Sequence, residues 1–182
     1  MKRFFHLCVL LVSLCCAGSA VLSCDEEPDC SMMGRPLMHC AIYTTDPISG
    51  QMRRDTLDSL TVLAVGTDSV IINKMKSVQT LSLPLRFSTG ETRLVFLYDW
   101  EPVKGGGDTL TVIHTNTPFL ESMDCGYRMK QYIERVTIQN GVTPEQPERM
   151  ENVEIINNDA NVYKNENLRL VFRHRLRGRA TP

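Results

Sequence analysis

The stretch that decides the fold class reads VQTLSLPLRF and spans residues 78–87. Leucines stand at alternate positions, Leu81, Leu83 and Leu85. Successive side chains of a β-strand point to opposite faces, so this pattern predicts a strand with one buried face. Pro84 lies on the other face and cannot donate a backbone hydrogen bond, which indicates an edge strand or a bulge.

Similar short alternating runs occupy much of the remaining chain, and turn residues such as Gly66-Thr67-Asp68 separate them. The other predicted strands span 37–43, 59–65, 70–72, 92–98, 109–115, 119–123, 127–138, 153–156 and 168–172. No sustained helical periodicity follows residue 30. This spacing predicts an all-β domain, a single antiparallel β-sandwich of Ig-like or related type, with a closed barrel as the alternative.

The first 23 residues have the pattern of a cleaved signal peptide. Lys2 and Arg3 form a positive start, residues 4–17 are nearly all apolar, and residues 18–20 are small. The apolar run is shorter than the roughly 20 residues of a membrane-spanning helix. We therefore predict an exported protein with residues 1–23 as its leader.

The leader ends in Val21-Leu22-Ser23-Cys24, which matches the box cleaved by a lipoprotein signal peptidase. Cys24 is then the lipid-bearing N-terminus and the link to a membrane. Ordinary cleavage after Ala20, leaving Cys24 as a plain thiol, is the alternative. Residues 24–29 carry four acidic side chains and form either a solvated tether or a signal for sorting to the cell surface.

The rest of the chain has the length of one domain, which we assign to residues 30–174. Residues 175–182 form a basic tail, either a solvated terminus or a contact with anionic lipid. The formal net charge of the whole chain is −1, and the leader contains Lys2 and Arg3 but no acid. A near-neutral chain offers no basis for general nucleic-acid binding.

Seven cysteines are present, and three of them belong to the leader. With Cys24 lipidated, Cys30, Cys40 and Cys125 remain, and an oxidising compartment favours one disulfide among them. Cys30 and Cys125 lie in polar, turn-like segments, whereas Cys40 lies inside a predicted strand. We predict the Cys30–Cys125 bridge, with the other pairings and no bridge as alternatives.

No motif points to catalysis or to a cofactor. Gly105–Gly107 lack the Gly-Lys-Ser/Thr ending of a phosphate loop. Cys125 and His114 could be considered as a nucleophile and its base, but a structural disulfide beside a strand histidine explains these two residues better. A group of soft donors precedes and enters the first strand: Cys30, Met32, Met33, Met38, His39 and Cys40. Such donors suit Cu(I), but strand alternation places His39 opposite Met38 and Cys40. We therefore predict no catalytic residue, cofactor or metal.

Several motifs resemble an uncharacterised family of small Bacteroidetes lipoproteins, the domain-of-unknown-function family 6452. The resemblance covers residues 30–172 and rests on Cys30 with Arg35-Pro36-Leu37, on 82–85 (SLPL), on 108–112 (DTLTV), on 124–128 (DCGYR) and on Asn157-Asn158. Cys40 departs from the pattern, which expects no thiol there. The resemblance implies an all-β fold and an envelope location. It implies no activity, ligand or catalytic residue.

Together these features predict a cell-envelope lipoprotein that acts as a non-enzymatic binding or structural module. It would be held at a membrane through Cys24, most simply the outer membrane, with the periplasmic or surface face left open. An envelope protein is a possible partner, and no small-molecule ligand is indicated. The alternative is a soft-metal, copper-binding protein or a thiol-dependent envelope protein.

Overall fold

A computed structural model describes Arg3 and residues 36–46, 48–67, 69–98, 107–141, 150–162 and 165–173. The predictions about the leader, Cys24, the acidic tether, Cys30 and the basic tail lie outside these residues. The chain divides into two compact units, Met1–Gly34 with Ser122–Cys125 and Arg35–Glu121 with Gly126–Pro182. Apart from Ser122 at the end of one strand, every strand below belongs to the second unit.

The described residues form ten strands and contain no helix long and apolar enough to cross a membrane. The strands are β1 (Leu37–Thr45), β2 (Met52–Arg54), β3 (Leu57–Ala64), β4 (Ser69–Val78), β5 (Thr80–Pro84), β6 (Glu91–Leu97), β7 (Asp108–Ser122), β8 (Gly126–Gln139), β9 (Met150–Ile155) and β10 (Leu168–Phe172). The all-β prediction is confirmed. The short, fully exposed β2 has no apolar alternation, so the sequence pattern did not reveal it.

The strands form two five-stranded sheets. The first has the order β2-β1-β10-β9, with β5 also paired to β1, and the second has the order β4-β3-β6-β7-β8. β1 runs antiparallel to β2 and β5 but parallel to β10. The prediction of a purely antiparallel fold is wrong at this pair. A parallel pair needs a long connection, and here nearly the whole domain lies between its two strands.

Both sheets contribute to one hydrophobic core, as the two layers of a sandwich do. Several strands supply alternate residues, for example Met38, Cys40 and Ile42 from β1. At one end of this core the rings of Tyr98 and Phe172 meet edge to face, with centroids 5.5 Å apart.

For residues 78–87 the predicted burial of alternate leucines is confirmed, but the predicted length of the strand is wrong. Leu81, Leu83 and Leu85 are all buried, and β5 has β1 as its strand partner, so Pro84 does lie in an edge strand. The run is not one strand, however. Gln79 separates β4 in the second sheet from β5 in the first, so the chain changes sheets there.

One long strand, β7, replaces the two strands predicted at 109–115 and 119–123. β6 pairs with β7 as far as Ile113, so among the described strands the distal part of β7 has β8 alone as its neighbour. Pro118 is tolerated there because its missing N–H group removes no bond to a second neighbouring strand.

The asparagine-bearing stretch before β10, within residues 157–167, forms backbone hydrogen bonds with β8 and β1 in place of a regular strand. The amide of Ile133 donates to the Asn158 carbonyl at 2.8 Å, which ties β8 to this stretch. Asn167 continues the hydrogen bonding along β1. Its side-chain Oδ1 accepts from the backbone N–H group of His39 at 2.8 Å, and its backbone N–H group donates to the His39 carbonyl at 2.7 Å. These bonds fix the position of Glu166 beside β1.

Candidate functional site

A groove of about 500 Å³ lies beside β1, on the face of the first sheet that points away from the core. It is lined by Leu37, His39, Cys40, Ala41, Arg54, Thr80, Leu81, Ser82 and Glu166. Along this face of β1 the small side chain of Ala41 stands between the larger His39 and Tyr43. Thr80 and Ser82 on β5 are also small, which leaves a depression across the two strands.

Three charged side chains and one tyrosine form a cluster beside the groove, which Arg54 and Glu166 line. The carboxylate of Glu166 accepts from Arg54 Nη2 at 2.9 Å and from Arg169 Nε at 2.8 Å, and the Tyr43 hydroxyl lies 3.3 Å from its Oε2. Both guanidinium groups also pack over the Tyr43 ring, at 5.7 Å for Arg54 and 5.1 Å for Arg169. Such cation–π contacts add to the ion pairs and fix the orientation of the planar groups.

A histidine and a serine also line the groove. Ser82 Oγ lies 3.0 Å from His39 Nδ1, and the two residues are direct cross-strand partners. Burial lowers the pKa of His39, so its ring is neutral at neutral pH. Asn167 binds both the backbone N–H group and the backbone carbonyl of His39. The groove thus offers polar groups on a rigid strand, which is a property of binding sites.

The soft donors of β1 are separated as alternation predicts. Met38 and Cys40 are buried in the core, while His39 lines the groove. Burial raises the pKa of the Cys40 thiol far above its usual range, so it does not supply a thiolate. In the part of the chain that the structure describes, no three His, Cys, Asp or Glu side chains are grouped to hold a metal ion. Cys30, Met32 and Met33 lie outside it.

Cys125 lies in the turn between β7 and β8, where its amide donates to Ser122 Oγ at 2.9 Å. Cys40 is the free thiol among the described cysteines, and Cys125 is not one. Cys30 lies outside the described residues, so its bridge to Cys125 stays a prediction.

His114 is buried in a polar network and is not poised as a catalytic base. Its Nε2 lies 2.8 Å from Thr92 Oγ1 and its Nδ1 lies 3.1 Å from Asn116 Oδ1, so both ring nitrogens are engaged. Burial lowers the pKa of His114 and favours its neutral form.

The remainder of this network holds the bend that leads into β6. The Asn116 side-chain amide donates to the backbone carbonyls of Arg86, Phe87 and Thr89 at 3.0, 3.1 and 2.7 Å. Gln131 Nε2 donates to Asn116 Oδ1 at 2.8 Å. Because these side-chain bonds hold three backbone carbonyls of the bend in place, we assign the network a structural role.

Asp108 is a fully buried carboxylate that joins three segments of the chain. Its Oδ2 accepts from the Tyr98 hydroxyl at 2.7 Å and from the Met150 amide at 2.8 Å, and its Oδ1 accepts from the Gly141 amide at 3.2 Å. Burial and the nearby Asp108 charge raise the pKa of Tyr98. Sequence reasoning missed this centre, although Asp108 shares its strand parity with the inward-facing Leu110.

Arg54 and Glu166 of the groove, and their neighbours Tyr43 and Arg169, were also missed. They come from β1, β2, β10 and the segment before β10, so no local pattern links them. The predicted site residues were Cys24, Cys30 and Cys125, of which Cys125 lies among the described residues and does not line the groove.

Fold and groove together define a class of protein, an all-β domain of two sheets around one core, with a groove of mixed polar and apolar lining on the outer face of one sheet. The model of the family of unknown function DUF6452 matches residues 59–172, more than half of the chain, and the chain belongs to that family. The match includes Ser82 and Glu166 of the groove as well as Asp108 and Cys125. No curated protein and no solved structure matches the chain.

Proposed function

We propose that the protein is a cell-envelope lipoprotein, anchored through Cys24 at the outer membrane, whose β domain is a non-enzymatic binding module. The anchor rests on the leader and on the Val21–Cys24 box. The binding role rests on one observation: a groove of about 500 Å³ whose mixed lining includes two pairs of polar side chains that hold each other in place, Arg54 with Glu166 and His39 with Ser82. That volume lies within the usual range of small-molecule sites.

The groove favours a small ligand that carries a carboxylate and hydroxyl groups. Arg54 uses one N–H group on Glu166 and has more donors, and its side chain is 61% exposed. With Arg169 and Glu166 it forms a cluster of one net positive charge, which attracts an anion. Thr80 and Ser82 are exposed hydroxyl residues that can bond ligand hydroxyls.

Titration of the isotope-labelled protein, followed by NMR, tests the binding role. Glucuronate serves as the probe, with glucose as its neutral counterpart. We expect saturable shifts of the backbone amides of Ser82, Arg54 and Glu166 with glucuronate and weaker shifts with glucose. Arg54→Ala should remove the preference for the acid. If neither sugar causes saturable shifts at these amides, this ligand class is wrong.

Expression of the full-length chain in a host with lipoprotein processing tests the anchor. We expect the protein to partition into detergent and the N-terminal peptide to begin at Cys24 with the mass of attached acyl chains. Cys24→Ala should leave the precursor uncut or release a soluble protein. An unmodified N-terminus at Val21 would contradict the anchor without affecting the groove.

A further inference from the structure

The β7–β8 hairpin has two halves of different character. Up to His114, β7 places every second side chain in the core, whereas Thr115–Glu121 contain no buried residue. The same holds on β8, where Gln131 and Ile133 are buried and Gly126–Lys130 are not. The distal half of the hairpin therefore contributes nothing to the core.

The distal half has two chemically different faces. On one face Glu121 pairs with Arg128 across the strands, and the Lys130 ammonium lies 4.7 Å from the centre of the Phe119 ring. Alternation places Leu120 and Tyr127, together with Met129, on the opposite face. Leu120 is 50% exposed and Tyr127 is 78% exposed. Apolar and aromatic side chains exposed together indicate a contact surface.

The predicted covalent connections bring this face close to the lipid anchor. Cys24 precedes Cys30 by six residues, which span at most about 21 Å even when fully extended. A disulfide holds its two Cα atoms about 6 Å apart, and Tyr127 follows Cys125 by two residues. A Cys30–Cys125 bridge would thus keep the distal hairpin within a short tether of the bilayer surface.

We infer that the face formed by Leu120, Tyr127 and Met129 lies against the lipid bilayer as a second membrane contact of the protein. This inference rests on the proposed anchor at Cys24. Tyrosine is enriched at membrane interfaces because its ring sits among the lipid carbonyls while its hydroxyl stays hydrated. Leucine and methionine beside it gain from burial among acyl chains. The contact would fix the orientation of the domain above the membrane, which a flexible tether alone does not do.

Fluorescence of single tryptophans in the full-length, lipidated protein tests the contact. The native Trp100 is replaced by Phe, and either Tyr127→Trp or the control Ile48→Trp is added. Ile48 is 96% exposed and lies in the turn after β1. The protein is reconstituted into vesicles of phosphatidylethanolamine and phosphatidylglycerol, with and without lipids brominated near the start of the acyl chains.

We expect the tryptophan at position 127 to shift to shorter wavelength on reconstitution and to be quenched several-fold more strongly than the one at position 48. Adding Cys125→Ser should reduce that quenching, because it frees the hairpin from the tether. Equal quenching at the two positions, in protein that floats with the vesicles, would overturn the inference and leave the anchor intact. Protein that carries no lipid and does not float would refute the anchor and the inference together, and the N-terminal mass identifies that case.

Discussion

Two groups of hydrogen-bonded polar side chains in this protein differ in burial. The first consists of Asp108 and the His114–Asn116 network, and it lies within the domain. The second surrounds Glu166 on the outer face of the first sheet, where Arg54 is largely exposed. Buried groups lose water on folding and depend on each bond, whereas exposed groups regain water when a bond breaks. The buried group therefore maintains the fold, and the exposed group is available for binding.

The largest effect expected from this comparison is that of Asp108→Ala. The change leaves the Tyr98 hydroxyl and the amides of Met150 and Gly141 without their acceptor. Each orphaned buried donor costs about 1–3 kcal/mol, so the free energy of unfolding should fall by about 3 kcal/mol or more. Urea denaturation measures it. Tyr98→Phe, which removes only one of the three donors, should cost about 1 kcal/mol, and an equal loss in both variants would contradict the assigned role.

Asn116→Ala should have the next largest effect. It frees three carbonyl groups at residues 86–89 and removes a shared acceptor of His114 and Gln131. We expect a loss of about 2–3 kcal/mol, since water can reach some of these groups. Hydrogen exchange should quicken at the start of β6 and remain slow in β10. Unchanged exchange at the bend would show that other contacts hold it.

Acidification should destabilise the protein through His114. Its pKa in the folded state is below the ordinary value of 6.5, so the unfolded chain takes up a proton first as the pH falls. The stabilisation is complete above about pH 6.5 and decreases below it, by at most about 1.4 kcal/mol per pH unit, until the folded pKa is reached. His114→Gln should flatten the profile between pH 7 and 5, and His39→Gln serves as the comparison at the more exposed site. A wild-type profile that matches that of His114→Gln would contradict this account.

The smallest effect on stability is expected for Arg54→Ala in the groove. Exposed ion pairs contribute about 0.2–1 kcal/mol, so the urea midpoint should hardly move. The same substitution should abolish the preference for glucuronate over glucose. A large loss of stability would place the groove cluster among the structural elements and weaken the case for binding.

Local alternation was sufficient to predict most strands, because each strand buries one face. β10 is found at the predicted bounds, and β8 within one residue of them at each end. The errors occur where tertiary context decides. The prediction joined residues 78–87 into one strand, although the alternation changes phase between the buried Val78 and Leu81, and the arrangement of the two sheets shows that the chain crosses between them at Gln79.

The groove could not be predicted for a related reason. Ala41 is an ordinary small strand residue until Thr80 and Ser82 are placed beside it by the β1–β5 register. Glu166 and Arg54 are separated by 112 positions and meet only through β1. The predicted site residues were cysteines because their chemistry is distinctive, and Cys40, which was expected inside a strand and outside the bridge, is a free thiol in the core.

The parallel pairing of β1 with β10 has a consequence for the order of folding. The first strand of the domain lies at the centre of its sheet, and its partner is made 128 residues later. At about 5–20 residues per second, synthesis of that interval takes on the order of 10 s. Until Leu168–Phe172 leave the ribosome, β1 lacks its parallel neighbour β10, so the first sheet cannot be completed on a nascent chain. The long sequence separation of this contact also slows spontaneous folding. With this topology the first sheet remains incomplete until β10 is synthesised, whereas all strands of the second sheet precede it.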